Sequence, residues 1–264
     1  MKRTVCLLLA VLMLALALSA CAQKKEGLIC GVTLFEPMNY QEADGTWTGF
    51  DTEFAKLVAD KLGVDVKFQP IDWDNKFFEL EAGTINCIWN GFTANANEAD
   101  GTPRSDHVDF SYSYMLNEQC IVVKAENAAE YTGVEALNGK TIVAEGGSAG
   151  ETFAKENAGD GGTVLPAGVQ IDTFVEVSSG AADCAVIDVL LAREMVGSGS
   201  YTDLVIAPIE MASEVYAIGF AKGSDLTAKV NQAIVELFES GEMETLAAKY
   251  DLVNSLMLDT TFKG

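Results

Sequence analysis

The sequence predicts an α/β fold with two related lobes, because one pattern of helix end, short apolar strand and polar strand exit occurs twice. The first copy follows Gly83, where residues 85–89 are apolar except for Asn86 and polar residues come next. The second copy follows Gly180, where residues 184–187 lead to Asp188. Open α/β sheets bind ligands at the carboxyl ends of their strands. Two such units therefore indicate two lobes that face one ligand.

Length and charge limit the possible functions. A chain of 264 residues has room for two lobes, and a hydrophobic content of 49% is enough to build their cores. The formal net charge is −22, and a chain this acidic repels nucleic-acid phosphates and anionic lipid. We therefore expect no nucleic-acid partner.

The N-terminus has the pattern of a targeting segment. Lys2 and Arg3 precede an apolar run at residues 5–18, which is shorter than the roughly 20 residues of a membrane-spanning helix. The sequence LSAC, which ends at Cys21, resembles the lipobox of bacterial lipoproteins. This resemblance implies a signal peptide at 1–20, lipidation of Cys21, a tether at 21–27 and an extracytoplasmic protein held at the membrane by lipid alone. The alternative is an ordinary signal peptide followed by a chance cysteine.

Four further cysteines lie in apolar, strand-like segments: Cys30, Cys87, Cys120 and Cys184. Buried cysteine behaves as a small hydrophobic residue, so we expect free thiols. Disulfides are the alternative, and Cys30 with Cys87 is the pair that could lie on neighbouring strands. The chain has no CxxC motif and only one histidine, so we expect no metal site.

The first third of the chain alternates strands and helices. An apolar face of Phe54, Leu57, Val58 and Leu62 predicts a helix that ends at Gly63. Strands are predicted at 28–33 and 64–69, and a helix at 75–82, capped by Asp72 or Asp74. This alternation is typical of a parallel sheet.

The rest of the chain continues the alternation. Residues 94–101 are polar without periodicity and predict a loop, after which Thr102 and Pro103 are typical of a helix start. Asp225 is the predicted cap of a long amphipathic helix. The other predicted strands are 120–123, 141–144, one near Val164, 184–187 and 216–221. One further helix is predicted to begin near Glu151. The other predicted helices are 170–179, 189–196 and 243–250.

An ordered set of motifs resembles family 3 solute-binding proteins, the amino-acid receptors of ABC importers. The motifs are WTGFD at 47–51, WNGFT at 89–93, TPR at 102–104, DFS at 109–111, LNGK at 137–140, Gly147 with Ser148, and Asp183 with Asp188. The resemblance covers nearly all of residues 28–252. It implies a two-lobed periplasmic-binding-protein-like fold of type II, in which each lobe is a mixed, mostly parallel sheet flanked by helices. Lobe 1 would take 28–115 and 217–264, and lobe 2 would take 116–216.

The resemblance also implies a site between the lobes. The residues it assigns are Phe35, Trp73, Asn90, Gly91, Thr93, Arg104, Ser148, Ala149, Gly150 and Asp188. Arg104 would bind the carboxylate of an amino acid, together with backbone N–H groups of 148–150. Asp188 would bind the ammonium. Asn90, Gly91 and Thr93 would supply a carbonyl and side-chain hydrogen bonds to the same group. Phe35 and Trp73 would be aromatic walls of the side-chain site.

Other interpretations of these residues stay open. Arg104 could be a surface arginine, Asp188 could be a helix N-cap, the loop before residue 151 could be a plain turn, and aromatic residues more often belong to a core. Glu36 and Glu145 are two nearby acids, either of which could contact a polar or cationic ligand side chain. About six additional residues separate Thr93 from Thr102, relative to the family pattern. His107 is expected to be solvated.

The predicted function is binding of a polar amino acid and its delivery to an ABC-type permease, by a monomer without cofactor or catalysis. The alternative is an enzyme similar to cyclohexadienyl dehydratase on the same scaffold, which would need an acid such as Glu145 or Asp188 over a leaving hydroxyl. A sensor ectodomain is a third possibility. The lack of a second predicted membrane span or of a signalling domain argues against it.

Overall fold

A computed structural model describes residues 27–262 of the protein. The predicted signal peptide and the predicted lipidation site at Cys21 lie outside this range. The strands are β1 (Leu28–Val32), β2 (Tyr40–Gln41), β3 (Trp47–Thr48), β4 (Val66–Pro70), β5 (Cys87–Ile88), β6 (Val108–Phe110), β7 (Ser113–Lys124), β8 (Thr141–Glu145), β9 (Thr163–Ala167), β10 (Cys184–Asp188), β11 (Leu204–Ile206), β12 (Ser213–Tyr216), β13 (Gly219–Ala221) and β14 (Leu256–Asp259). The helices are α1 (Phe50–Leu62), α2 (Lys76–Glu81), α3 (Ala149–Asn157), α4 (Asp172–Ser179), α5 (Val189–Met195), α6 (Asp225–Glu239) and α7 (Glu242–Lys249).

The first lobe is built on a five-stranded sheet in the order β4-β1-β5-β13-β6. Strand β1 is parallel to both β4 and β5, whereas β13 is antiparallel to β5 and β6. Helix α1 packs against α6 and α7, and α2 packs against β5 and β13. The sheet is therefore parallel in its strand–helix–strand half and becomes antiparallel where the chain returns late in the sequence.

The second lobe is built on a sheet in the order β11-β7-β10-β8-β9, with β12 and β14 also paired to β7. Strands β10, β8 and β9 are parallel, and β7 is antiparallel to β10 and β11. Helices α3 and α4 pack on β8 and β10. Both sheets are mixed and flanked by helices, as the sequence predicts.

The two copies of the repeated sequence pattern occupy corresponding places in the two sheets. Gly83 and Gly180 have φ values of 73° and 80°, which glycine adopts without the steric cost of a Cβ atom. Each glycine closes a helix before a strand that lies inside its sheet, β5 in one lobe and β10 in the other. The repeated sequence pattern thus corresponds to a repeated structural unit.

The lobes are connected by long antiparallel strands. Strand β7 pairs through residues 115–118 with β12, and further along with β10 in the second sheet. Tyr216, at the end of β12, forms an isolated bridge with Thr93 of the first lobe. Strands β7 and β12 therefore carry the chain between the two lobes.

Several predicted boundaries differ from the structure. The predicted strand at 216–221 is two strands, β12 and β13. The helix predicted after Thr102 is a single 3-10 turn at Arg104–Asp106, and Thr102 is not its cap. The Ser224 hydroxyl, not Asp225, caps α6 by accepting a hydrogen bond from the N–H of Leu226 at 3.2 Å. Serine and aspartate are both strong N-caps, so the sequence leaves such choices between neighbours open.

The structure agrees with free thiols at all four described cysteines. Cys30 and Cys87 are partners on parallel strands, and their sulfur atoms lie 3.5 Å apart without a disulfide bond. Between residues 27 and 262, no helix has the length and apolar character required to traverse a bilayer.

Candidate functional site

The candidate site lies where the two lobes approach each other. Gly91 has a φ of 56°, and a Cβ atom there would lie 2.4 Å from Phe35 Cε1 and 3.0 Å from Tyr216 Cε2. Gly147, on the loop before α3, approaches the other lobe so closely that a Cβ atom would lie 2.7 Å from Asp74 Cα. These two glycines allow neighbouring groups to approach their backbones closely.

Arg104 is buried in this cleft, with an exposed fraction of 1%. Its Nη1 donates to the carbonyl oxygen of Thr93 at 2.9 Å, and its Nη2 donates to the carbonyl oxygen of Gly147 at 3.2 Å. Its Nε donates to Glu98 at 2.8 Å, and the ring of Phe92 lies 5.1 Å from the guanidinium carbon. Arg104 is therefore not a surface arginine, and it connects both lobes.

Lys76 is a second buried cation that the sequence analysis missed. It is 1% exposed, and its Nζ donates to the carbonyl oxygen of Gly147 at 2.9 Å. Burial, and then the charge of Arg104, lower the pKa of Lys76 to about 8, while Glu98 acts in the opposite direction. In the sequence, Lys76 looks like a polar helix residue, and only the fold directs it into the cleft.

Asp188 ends β10 and faces the same region. Its carboxylate accepts hydrogen bonds from Tyr216 at 2.8 Å and Gln119 at 3.2 Å, and from the side-chain amides of Asn117 and Gln170. Asp188 occupies the N-cap position of α5, as the alternative interpretation has it, but its side chain makes no capping hydrogen bond to that helix. Asp188 is buried, with an exposed fraction of 5%. Burial raises the pKa of Asp188, although these donors and Arg104 oppose the shift.

Glu214 is a further, half-buried acid that the sequence analysis missed. It lies on the crossing strand β12, and its carboxylate accepts from Asn117 at 2.8 Å, Gln119 at 2.9 Å and Thr93 at 3.1 Å. Burial, followed by repulsion from Asp188, raises the pKa of Glu214 to about 7. Asn117 and Gln119 thus hold two carboxylates side by side at the crossing strands.

Glu145, at the end of β8, is the third carboxylate of this region. It is 3% exposed, and burial and the charge of Asp188 raise its pKa to about 8, whereas Thr33, Lys76 and Gln170 act to lower it. Glu36, the alternative acid, is half-buried outside this cluster, and burial and the charges of Glu194 and Glu42 raise its pKa. Of the two acids, Glu145 is therefore the one that adjoins the cleft charges.

Three acceptor atoms in the cleft lack a hydrogen-bond donor among the described residues. They are Oε1 of Glu145, Oδ1 of Asn117 and Oε1 of Gln119. The amide nitrogens of Asn117 and Gln119 face carboxylates, which requires their oxygens to point elsewhere. These acceptors can therefore take hydrogen bonds from donors outside the described residues.

The segment around Asn90 supports the site from within the first lobe. The Asn90 side chain accepts from the N–H of Thr33 at 3.0 Å and donates to the carbonyl oxygen of Thr33 at 3.1 Å. The N–H of Gly91 donates to Asp51 at 2.7 Å, and burial raises the pKa of Asp51 to about 7 against the effect of its hydrogen bonds. The side chain of Asn90 and the N–H of Gly91 therefore hold the loop in place.

The remaining predicted residues are also brought to this region. Phe35 packs edge-on against Tyr216 with ring centroids 6.3 Å apart, and Trp73 packs edge-on against Phe92 at 5.5 Å. Both predicted walls are buried and belong to hydrophobic clusters.

The loop before α3 begins a capped helix. Ser148 Oγ accepts from the N–H of Glu151 at 3.0 Å, and the Glu151 carboxylate accepts from the N–H of Gly147 at 3.0 Å. Helix α3 begins at Ala149, and Gly150 is buried in its first turn. Because the first N–H groups of a helix have no partner within the helix, this end can bind an anion.

Comparison with known proteins gives consistent results over almost the whole chain. A model of bacterial extracellular solute-binding proteins, family 3, matches residues 28–253. The arginine-binding extracellular protein ArtP of Bacillus subtilis is 31% identical over 92% of this chain and 96% of its own. The structure of an ancestral arginine-binding protein bound to arginine has a TM-score of 0.79 and 31% identity, over 86% of this chain and 99% of the other. A cyclohexadienyl dehydratase of Pseudomonas aeruginosa is 24% identical over 60% of this chain and 58% of its own.

The raised pKa values predict how stability depends on pH in the absence of a ligand. Glu145, Glu214 and Asp51 have folded-state pKa values of about 8, 7 and 7, above their ordinary values near 4. The native state therefore binds more protons than the unfolded state between about pH 4.5 and 8, and the free energy of unfolding falls as pH rises through this window. Differential scanning calorimetry should show a lower melting temperature at pH 8 than at pH 5, with a smaller difference for Glu145→Gln. A melting temperature that rises over this range would contradict the assignment.

Proposed function

The chain belongs to family 3 of the bacterial extracellular solute-binding proteins, and from this premise we infer that it captures an amino acid between its lobes and delivers it to an ABC-type permease. The observation that carries this inference is the buried pair of opposite charges in one cleft. The guanidinium of Arg104 lies on the first lobe, and the carboxylate of Asp188 ends a strand of the second. The charge of Arg104 acts on the pKa of Asp188, so the two groups share one electrostatic environment.

In the proposed mechanism, each lobe contributes to the binding of the zwitterion. Arg104 and the N–H groups of Ala149 and Gly150 bind the carboxylate, because a guanidinium and a helix start both favour anions. Asp188 binds the ammonium, with Thr93 beside it. Phe35 and Trp73 flank the ligand side chain. Hinge bending at β7 and β12 then closes the lobes over the amino acid and excludes water.

We propose that the preferred amino acid carries a cationic side chain, with arginine as the first candidate. The cleft contains the carboxyl groups of Glu145 and Asp188, which are buried, and of Glu214, which is half-buried. Among the described residues, Arg104 and Lys76 are buried cations of this cleft, and Glu98 already pairs with both of them. The raised pKa values of the three carboxyl groups mean that their charged forms are disfavoured without a partner. A cationic ligand side chain would favour these charged forms, and a guanidinium supplies five N–H donors for unpaired acceptors. The arginine-binding names of similar proteins point in the same direction.

The remaining parts of the proposal concern organisation and location. We assign residues 28–115 and 217–264 to lobe 1 and residues 116–216 to lobe 2. The signal peptide at 1–20 and the lipobox pattern at Cys21 support a monomeric lipoprotein tethered outside the cell by residues 21–27. We assign binding without catalysis, because ArtP matches over far more of the chain than the dehydratase does.

The roles of Arg104 and Asp188 predict loss of ligand response in two variants. At 100 times its dissociation constant, the amino acid should stabilise the wild type by about 2.7 kcal/mol. Arg104→Ala and Asp188→Asn should abolish this stabilisation in a thermal-shift assay. The exposed substitutions Arg193→Ala and Asp203→Asn are matched controls that should keep it. Full response in both cleft variants, with circular dichroism showing a native fold, would refute the site assignment.

The role of Glu145 predicts a change in selectivity. Isothermal titration of the wild type with L-arginine, L-lysine, L-glutamine and L-glutamate should show the strongest binding for a cationic member. Glu145→Gln should weaken binding of that ligand by about tenfold or more, because its buried side-chain charge loses a carboxylate partner. Binding of L-glutamine should change little. An equal loss for both ligands would mean that Glu145 acts on the fold and not on the ligand side chain.

The lipid anchor predicts where the protein fractionates. Cys21→Ser removes the thiol that would carry the lipid, so the variant should leave the membrane fraction and become releasable by buffer. Cys6→Ser, a substitution within the signal peptide, is the control that should stay with the membrane. Immunoblots of membrane and released fractions would measure this, and membrane retention of the Cys21 variant would count against lipidation.

A further inference from the structure

Two cations of the first lobe converge on one oxygen of the second lobe. The carbonyl oxygen of Gly147 accepts from Lys76 Nζ at 2.9 Å and from Arg104 Nη2 at 3.2 Å. Both side chains are 1% exposed. A carbonyl carries only a partial charge, and two full positive charges on one such oxygen form an arrangement better suited to an anion.

The protein provides a dedicated partner that keeps these cations together. Glu98 Oε1 lies 2.8 Å from Arg104 Nε, and Glu98 Oε2 lies 3.6 Å from Lys76 Nζ. Glu98 belongs to segment 94–101, the loop between Thr93 and Thr102 that is longer than the family pattern. Its backbone is held in a tight turn, because its N–H donates to the carbonyl oxygen of Thr102 at 2.8 Å.

This pairing reduces the cost of burying Lys76 beside Arg104. Two like charges in a desolvated cleft destabilise each other, and a single carboxylate that touches both offsets part of this penalty. One net positive charge remains for the trio of Lys76, Arg104 and Glu98. The trio is therefore matched to one further carboxylate.

We propose that Lys76 is a second binding residue for the α-carboxylate of the ligand, and that Glu98 is a positioning residue that holds Lys76 and Arg104 in place. This proposal rests on the proposed amino-acid function. In it, a ligand carboxylate oxygen takes the position between the two cations that the Gly147 carbonyl oxygen occupies in this structure.

The orientation of Lys76 supports this role. An ammonium has three donors, and in the structure one of them is directed to Gly147. The rings of Trp73 and Phe77 lie 5.6 Å and 4.5 Å from Nζ, so aromatic faces flank the cation without using its N–H groups. Gly147 directly precedes the start of α3, and Lys76 thus lies beside the anion-binding helix end described above.

The test compares L-arginine with L-argininamide, which replaces the carboxylate by a neutral amide and keeps both cations. In isothermal titration, Lys76→Met should weaken arginine binding by about tenfold or more and argininamide binding by less than about threefold. Lys76→Arg keeps the charge and should recover most of the arginine affinity. Glu98→Gln should give a smaller loss, also confined to arginine. Lys140→Met, at a partly exposed lysine, should leave both ligands unchanged.

Each other outcome is decisive. Equal losses for arginine and argininamide in Lys76→Met would overturn the proposal and identify Lys76 as a contact between lobes only. Unchanged arginine binding would overturn it as well. If the wild type binds no amino acid, the proposed function itself is wrong. If the wild type binds arginine and only the Lys76 variants behave differently from this expectation, the proposed role of Lys76 is wrong. Denaturant midpoints for every variant confirm that the compared proteins are folded.

Discussion

The three carboxyl groups placed between the two lobes are the constraint on which the rest of this structure depends. Glu145 and Asp188 are buried and Glu214 is half-buried, and a carboxylate removed from water is tolerated only with donors or counter-charges around it. Tyr216, Gln170, Asn117 and Gln119 supply these donors, and they come from strands, loops and both crossing segments. Much of the polar architecture of the cleft is thus explained by three acids that need partners.

The fold could be predicted from the sequence because its signals are local. Apolar spacing around Phe54 and Val58, and glycines such as Gly63 and Gly83, define where helices run and end before any tertiary contact is known. The broken strand at 216–221 was missed because it is apolar throughout. The break after Tyr216 follows from the change of partner, from β7 in one sheet to β5 and β6 in the other.

The candidate site could be predicted only in part. Arg104 and Asp188 belong to recognisable motifs, and both lie in the cleft. Glu214 and Lys76 carry no local signal, since each is a charged residue in a segment whose other polar residues face solvent. Their burial arises from strand β12 crossing between lobes and from α2 presenting one residue to the opposite lobe. Asn90 shows the converse, because its motif is recognisable but its amide is used to hold the loop near Thr33.

Strand β12 places a cleft acid on an element that crosses between the lobes. Glu214 accepts from Thr93 of the first lobe and from two residues of β7, the other crossing strand. Glu214 therefore contributes both to the charge of the candidate site and to the contacts between the first lobe and the crossing strands. If the proposed mechanism holds, a change of chemical preference made at Glu214 would also alter how readily the molecule opens, so selectivity and release rate would be coupled at this position. Evolution or engineering of a new preference has more freedom at Glu145, which lies on a strand that stays within its own lobe.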